Sequence, residues 1–167
     1  MRHFTKSAAL AAVMTLGLSG AALAQDVPAG EKPVDPYVQS SANAGAAPLA
    51  DTATFDAFHG KDGLARIAAD LVDRSVVDPR IKEIFATTDV PRLKRTLAEQ
   101  FCYVLGGGCV YTGRDMAAVH KDMGVLNRDF NALVENLQWA MDKEKVPFFA
   151  QNRLLAKLAP MQRKVVE

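Results

Sequence analysis

The chain has 167 residues, 49% of them hydrophobic, and its 20 basic residues nearly balance its 19 acidic ones. This length allows one domain with short appendages. Proteins that bind nucleic acids or anionic membranes through charge carry a clear basic excess, so this balance predicts neither partner.

Residues 1–24 are typical of a secretory signal peptide. Arg2 and Lys6 give a basic start, residues 8–18 are mostly small and apolar, and Ala-Leu-Ala at 22–24 precedes Gln25. The apolar run is too short to span a bilayer, which favours cleavage over a retained membrane anchor. We therefore predict a periplasmic or secreted protein with no membrane attachment after cleavage.

Residues 25–50 are rich in Pro, Ala, Gly and Ser and show no apolar periodicity. Such a segment buries too little apolar surface to offset the entropy cost of ordering it. The composition therefore predicts a disordered, flexible linker, followed by a folded domain that covers residues 51–167.

Apolar residues in the domain recur with the 3.6-residue period of amphipathic helices. Asp89 is suited to cap one helix, with Pro91 in its first turn, and the glycines at 106–108 end it. The predicted elements cover residues 62–77, a turn at 80–85, 89–105, 114–121, a helix capped by Asn127, and a last helix around 154–161. Because no strand pattern occurs, the predicted fold class is all-α.

Two cysteines, Cys102 and Cys109, lie seven residues apart. In an oxidising compartment such a pair can close a disulfide. Neither belongs to a C-x-x-C-H motif, so covalent attachment of a c-type haem is not indicated. Catalysis by a cysteine and a histidine is weakly supported, because oxidation would consume the thiols.

His120 is the most informative of the three histidines. His3 lies in the predicted signal peptide, and His59 lies in a turn where a capping or solvated role is expected. His120 has apolar neighbours, which by itself is more often a buried structural residue than a ligand. One imidazole is too few for a zinc site, but haem iron needs only one axial protein ligand because the porphyrin supplies four donors.

Two other patterns were weighed as ligand sites. The glycines at 106–108 follow a helix and lack the Lys-Ser/Thr of a phosphate-binding loop, so phosphate binding is not indicated. Arg92, Lys94 and Arg95 form a basic run. Its ordinary interpretation is a solvated helix face, and the alternative is that it holds carboxylates of a ligand at a pocket mouth.

A set of short motifs occurs in a fixed order along the domain. They are His59-Gly60-Lys61-Asp62-Gly63, Asp78-Pro79-Arg80, Ile84-Phe85, Val90-Pro91-Arg92-Leu93-Lys94, Gly106-Gly107, Tyr111-Thr112-Gly113-Arg114-Asp115-Met116, His120 and Met123-Gly124-Val125. With these motifs, residues 54–167 resemble the group I truncated haemoglobins, which are short globins with two helices packed over two others.

The resemblance implies a haem b cofactor (iron protoporphyrin IX) with His120 as the proximal ligand of its iron. It implies that Phe85 wedges against the porphyrin face and that Phe101 packs on the distal side. Further haem-lining positions implied by the resemblance are Met116, Val119, Val125, Phe130 and Leu133.

Three positions depart from the family pattern on the distal side. A tyrosine that often donates a hydrogen bond to the dioxygen ligand is replaced by Val72, and a common glutamine is replaced by Leu93 or Leu97. A hydrogen bond to a charged acceptor is worth ~1.5–3 kcal/mol and each ~1.4 kcal/mol is tenfold in affinity, so oxygen should bind one to two decades more weakly. Gln100 and Tyr103 are candidate substitute donors.

The expected function is therefore reversible binding of a diatomic gas (O2, NO or CO), including oxygen binding or transport, rather than dedicated enzymatic catalysis. The alternative is a haem-dependent redox protein with an unidentified redox partner: an electron carrier, a nitric oxide dioxygenase or a weak peroxidase. The peroxidase version is disfavoured because no second histidine is available as an acid–base group. A haem-free helical binding module and a gas sensor that acts through a partner remain further alternatives.

Overall fold

The computed structural model describes residues 27–167, and throughout that range its secondary structure is helical. The predicted all-α class is confirmed there, whereas the predicted signal peptide, residues 1–24, lies outside the described residues. The α-helices are α1 Ala53–Ala57, α2 Gly60–Ser75, α3 Val90–Val104, α4 Met116–His120, α5 Asn127–Lys143, α6 Phe148–Leu158 and α7 Gln162–Val165. Short 3-10 helices cover Ser41–Ala44, Lys82–Phe85 and Ala159–Met161. In the range 27–167 no helix combines the length and apolar character needed to cross a membrane.

The core lies between α2 and the helices packed on it. α2 packs against α3 and α5, and α3 also packs against α6, so that the helices form two layers. The apolar face predicted for α2 is fully buried, and each such leucine or isoleucine contributes about 1.5–3 kcal/mol. The largest fully buried side chains include Phe58, Leu64, Ile67, Phe101, Leu105, Met141 and Leu154.

The close packing of the turn before α2 against the first turn of that helix requires glycine at position 63. A Cβ added at Gly63 would lie 2.0 Å from the carbonyl oxygen of Phe58. His59 adopts a left-handed conformation with φ of 60°. Its Nδ1 lies 3.2 Å from Glu144, and its side chain is 48% exposed.

We expect Gly63→Ala to lower the free energy of unfolding of the haem-free protein by about 2 kcal/mol, because backbone must move to admit the methyl group. Chemical denaturation measures this loss. Gly124→Ala is the control: that glycine has φ of 64° but open space around it, so only the smaller cost of a left-handed residue, about 1 kcal/mol, should appear. Equal losses in both variants would contradict the steric argument.

α3 begins and ends as the sequence predicts. The Oδ1 atom of Asp89 accepts a hydrogen bond from the N–H of Arg92 at 3.3 Å, which caps the helix. Beyond Val104 the chain turns at Gly106, which has φ of 79° and whose added Cβ would lie 2.7 Å from the carbonyl oxygen of Leu49. Only glycine tolerates both that backbone conformation and that approach.

The cap predicted for α5 differs in detail. Asn127 is the first residue of the helix rather than its cap. Instead, Oδ2 of Asp129 accepts a hydrogen bond from the N–H of Leu126 at 3.0 Å. This is the backward half of a capping box, in which an acidic residue in the first turn satisfies a free backbone N–H.

The described part of the predicted linker, residues 27–50, lies against the helices, and we call this segment the strap. Ala44 is fully buried, and its carbonyl oxygen accepts a hydrogen bond from Nε2 of Gln100 at 2.9 Å. The N–H of Leu49 donates to the carbonyl of Val104 at 3.0 Å. The composition predicts a disordered linker, whereas in the structure backbone groups of the strap form hydrogen bonds with groups on the helices. Such hydrogen bonds order a segment without any apolar periodicity in its sequence.

Cys102 on α3 and Cys109 in the following loop form a disulfide, with their Cα atoms 5.7 Å apart. The disulfide covalently links the loop that follows the glycine turn at 106–108 to α3. We expect the free energy of unfolding of the Cys102→Ala and Cys109→Ala double variant to be about 2 kcal/mol lower, because the disulfide no longer limits the conformations of the unfolded chain. Denaturation with and without reductant measures it. Reductant should destabilise the unmodified protein and leave the double variant unchanged, and insensitivity of both would contradict the prediction.

Candidate functional site

A cavity of about 430 Å³ lies between α2, α3, α4 and α5. Its volume is within the range of small-molecule sites, and apolar side chains dominate its walls. The structure brings together ten of the side chains singled out in the sequence. They are Val72, Phe85, Leu93, Leu97, Met116, Val119, His120, Val125, Phe130 and Leu133.

Phe101, which the resemblance places on the distal side, does not line this cavity but is buried in the core with 1% exposure. The reason is helical phase. The stripe of α3 that faces the cavity consists of Leu93, Thr96, Leu97 and Gln100, at the spacing i, i+3, i+4 and i+7. Phe101 lies one position beyond the end of that stripe, so its ring turns toward the core instead.

His120 is the last residue of α4, a single turn that begins at a well-capped N-terminus. Oδ1 of Asp115 accepts hydrogen bonds from the N–H groups of Ala117 and Ala118 at 3.1 and 3.2 Å. Nδ1 of His120 lies 2.8 Å from the carbonyl oxygen of Met116. Since a carbonyl can only accept, Nδ1 carries the proton and Nε2 keeps its lone pair.

Burial lowers the pKa of His120 below its ordinary value, and the hydrogen bond to Met116 opposes that shift only in part. The imidazole is therefore neutral near pH 7, which is the form that binds a metal. A hydrogen bond from the other ring nitrogen to a backbone carbonyl is the usual way to orient a metal-binding histidine. The sequence alone did not identify this carbonyl partner.

Among residues 27–167, no group of three or more His, Cys, Asp or Glu residues could hold a metal ion by itself. A metal at His120 therefore needs a ligand that brings its own donors. A porphyrin does this, because it supplies four nitrogens and leaves one axial position to the protein.

Two arginines line one side of the cavity. The terminal NH2 group of Arg92 donates to the carbonyl of Lys32 at 2.7 Å, and that of Arg114 donates to the carbonyl of Asp35 at 3.1 Å. Because these two carbonyls are three residues apart in the strap, both guanidiniums lie on the same side. Nε of Arg92 is buried without a hydrogen-bond partner, although Oδ2 of Asp89 lies 3.5 Å away in an ion pair.

The rest of the predicted basic run points elsewhere. Lys94 forms an ion pair with Asp73 at 2.6 Å, and Arg95 pairs with Glu31 and Glu99. Of the three, only Arg92 lines the cavity. Lys94 and Arg95 are thus engaged in ion pairs rather than free in solvent, and Arg92 is the residue of the run that lies where the alternative interpretation requires.

The polar side chains along α2 and α3 already have partners for their donor groups. The hydroxyl of Ser75 donates to the carbonyl of Leu71 at 2.7 Å, and that of Thr96 donates to the carbonyl of Arg92 at 3.0 Å. Nε2 of Gln100 contacts Ala44 and the sulfur atoms of two methionines. The amide of Gln100 is therefore already engaged and does not serve as a substitute hydrogen-bond donor to a bound gas. Tyr103 does not line the cavity.

The sequence of residues 53–167 matches the model of the family described as bacterial-like globin. The chain belongs to this family. The all-helical fold, the cavity and the histidine at its wall, His120, agree with that membership.

The relatives and solved structures to which this globin is similar are truncated hemoglobins. This globin is 28% identical over 107 residues to the group 1 truncated hemoglobin GlbN of Mycolicibacterium paratuberculosis, covering 64% of this chain and 79% of the relative. It is 32% identical over 79 residues to a group 1 truncated hemoglobin of Tetrahymena pyriformis, covering 47% and 65%.

Its fold is similar to that of the Fe(III) form of the Tetrahymena pyriformis truncated hemoglobin, with a TM-score of 0.65 and 21% identity, covering 68% of this chain and 97% of that one. A Synechococcus 2/2 hemoglobin in the cyanomet state, with covalently attached heme, gives a TM-score of 0.63 with 20% identity and the same coverage. The predicted two-over-two globin fold and the predicted resemblance are thereby confirmed.

Haem b is the cofactor that membership of this family implies, and the residues of the cavity fit it. The walls are apolar, and one neutral imidazole with a free Nε2 is available. Arg92 and Arg114 both line the cavity and are both held by backbone carbonyls of the strap, and their guanidiniums suit a ligand that carries carboxylates at one edge. The sequence analysis missed Arg114 as a cavity residue, although it lies within the motif that carried the resemblance.

Proposed function

We propose that this globin reversibly binds a diatomic gas, O2, NO or CO, at the iron of haem b, with His120 as the proximal ligand and an apolar distal pocket. Globin family membership supports haem-based gas binding in general. The observation that carries the finer proposal is the position of His120, which lines an apolar cavity with Nδ1 bonded to Met116.

Haem bound here would be held by His120 and would supply the iron that binds the gas. The side chains of the cavity bind the cofactor, orient it and exclude water from it. His120 presents Nε2 in a fixed direction because Nδ1 is tied to its own helix. Phe85, Phe130 and Leu133 add apolar surface around the cavity and exclude water from it. Arg92 and Arg114 are placed to hold the carboxylates.

The distal side determines which gas is favoured. Val72 and Leu97 line it without a donor group, and the donors of Ser75, Thr96 and Gln100 are engaged elsewhere. Dioxygen gains most from a donated hydrogen bond because it takes on negative charge as it binds. We therefore infer weak retention of O2 and a relative preference for CO and NO, which depend less on such a bond.

We further propose that the protein works outside the cytoplasm, in the periplasm or after secretion. Two observations support this location: the signal-peptide pattern of residues 1–24 and the Cys102–Cys109 disulfide. Disulfides persist in oxidising compartments and are rare in the cytosol.

Absorption spectra of the haem-loaded protein test the proposal in its ferric, dithionite-reduced and carbon monoxide forms. We expect a five-coordinate ferrous spectrum that shifts sharply with carbon monoxide, because among residues 27–167 His120 is the only histidine at the cavity, and Val72, Leu93 and Leu97 carry no group that binds iron. A six-coordinate ferrous spectrum that resists carbon monoxide would overturn gas binding in favour of electron transfer. Failure to take up haem would overturn the proposal as a whole.

A further inference from the structure

The strap contributes side chains to the cavity even though it lies outside the part of the chain that matches the globin family, residues 53–167. Val34 and Tyr37 line the same cavity as His120. The hydroxyl of Tyr37 donates to the carbonyl of Thr112 at 2.6 Å, and the guanidinium of Arg114 lies 5.1 Å from the centre of its ring. These contacts hold the ring at the side of the cavity where the arginines lie.

A buried ion pair fastens this part of the strap to α3. The carboxylate of Glu31 is 3% exposed and accepts hydrogen bonds from Nε and NH2 of Arg95 at 2.5 and 2.9 Å. It also lies 3.4 Å from Arg92. Two-point hydrogen bonds between a guanidinium and a carboxylate are strong and directional, and low exposure limits screening by solvent.

Backbone groups of the strap complete the attachment. The N–H of Lys32 donates to Oδ2 of Asp89 at 2.6 Å, next to the carbonyl that receives Arg92. The strap thereby positions both arginines, Arg92 through Lys32 and Arg114 through Asp35, while Nε of Arg92 remains without a hydrogen-bond partner. Groups of the strap thereby hold both guanidiniums in place at the cavity.

We propose that the strap forms the outer wall of the haem site: Val34 and Tyr37 cover the cofactor's edge, the Glu31–Arg95 pair is the latch that holds them there, and the wall slows haem loss. This inference rests on the proposed binding of haem in the cavity. Its consequence is that the haem site of this globin extends beyond the globin domain itself.

The rate of haem transfer from the haem-loaded full chain to an excess of apomyoglobin tests this role, because it reports haem release rather than gas binding. We expect Glu31→Gln to release haem at least about threefold faster and Tyr37→Ala about tenfold faster, since a charged hydrogen bond and an aromatic wall are lost. Glu144→Gln is the matched control. Its carboxylate also pairs with an arginine, Arg66, but neither residue lines the cavity, so the transfer rate should be unchanged.

Thermal unfolding of the haem-free variants shows whether each one folds. If Glu31→Gln does not fold, Tyr37→Ala decides the question, because Tyr37 is only half-buried and its loss leaves the ion pair in place. Folded variants that release haem at the unmodified rate would overturn the strap's role alone. An unmodified chain that takes up no haem would overturn the proposed function and this role together.

Discussion

His120→Ala is expected to abolish the five-coordinate ferrous haem spectrum while the helical fold persists. Among residues 27–167, His120 is the only histidine that lines the cavity, and its Nε2 keeps the lone pair that binds a metal. The side chain is half-buried at the end of a short helix rather than in the core, so its truncation leaves the main apolar cluster intact. Absorption spectroscopy measures the loss of ligation, and circular dichroism measures the fold.

Two controls separate ligation from general damage. His59→Ala removes a histidine that contacts Glu144 away from the cavity, so its haem spectrum should match that of the unmodified protein. Added imidazole should restore ligation in His120→Ala, because the truncation leaves space for a small ligand that carries the same nitrogen. A full haem spectrum retained by His120→Ala without imidazole would refute the assignment of the proximal ligand.

Leu97→Gln is expected to raise oxygen affinity by about one to two decades, because an amide donor would then face the gas site. A hydrogen bond to a charged acceptor is worth ~1.5–3 kcal/mol, and ~1.4 kcal/mol corresponds to a factor of ten. Glutamine has nearly the size of leucine, and Leu97 is only half-buried, so overpacking should be small. Stopped-flow dissociation rates of O2 and CO measure the change, which should appear mainly as slower O2 release.

The ratio of the O2 and CO dissociation rates decides how the result for Leu97→Gln is interpreted. Carbon monoxide depends less on a donated hydrogen bond, so its dissociation rate should change little in Leu97→Gln. Leu97→Met keeps a flexible side chain of similar size but adds no N–H donor, and it should leave both rates close to those of the unmodified protein. Equal slowing of both gases in Leu97→Gln would show that the substitution narrowed the exit path rather than added a donor.

The helices were predictable because local sequence rules determine where each of them begins and ends. Asp89 and Pro91 open α3 as capping rules require, and the glycine at 106 ends the turn that follows it. The histidine in apolar surroundings suggested haem only together with the motifs of the family, because haem iron needs only one protein ligand. Such features depend on residues close together in the chain, which is why a single sequence carries them.

The features that the sequence did not reveal depend on contacts between distant segments. Glu31 meets Arg95 across 64 residues of chain, and nothing in the composition of the strap indicates that partner. Phe101 and Gln100 are neighbours on α3, and only the packing of the helix decides which of them lines the cavity. The hydrogen bond from His120 to Met116, which orients the ring, is local, but the sequence does not show which carbonyl Nδ1 meets.

The shortness of α4 has a consequence for how this protein holds together. Five residues are too few for a helix to persist by its own hydrogen bonds, so this turn is kept in place by Asp115, by the buried Met116 and by packing against α7. The proposed metal ligand, His120, thus lies on one of the least autonomous pieces of the fold. A ligand that binds only the ordered form stabilises that form. In the proposed site, haem therefore stabilises α4 as well as binding the gas. Loss of the cofactor should destabilise α4 before the other helices.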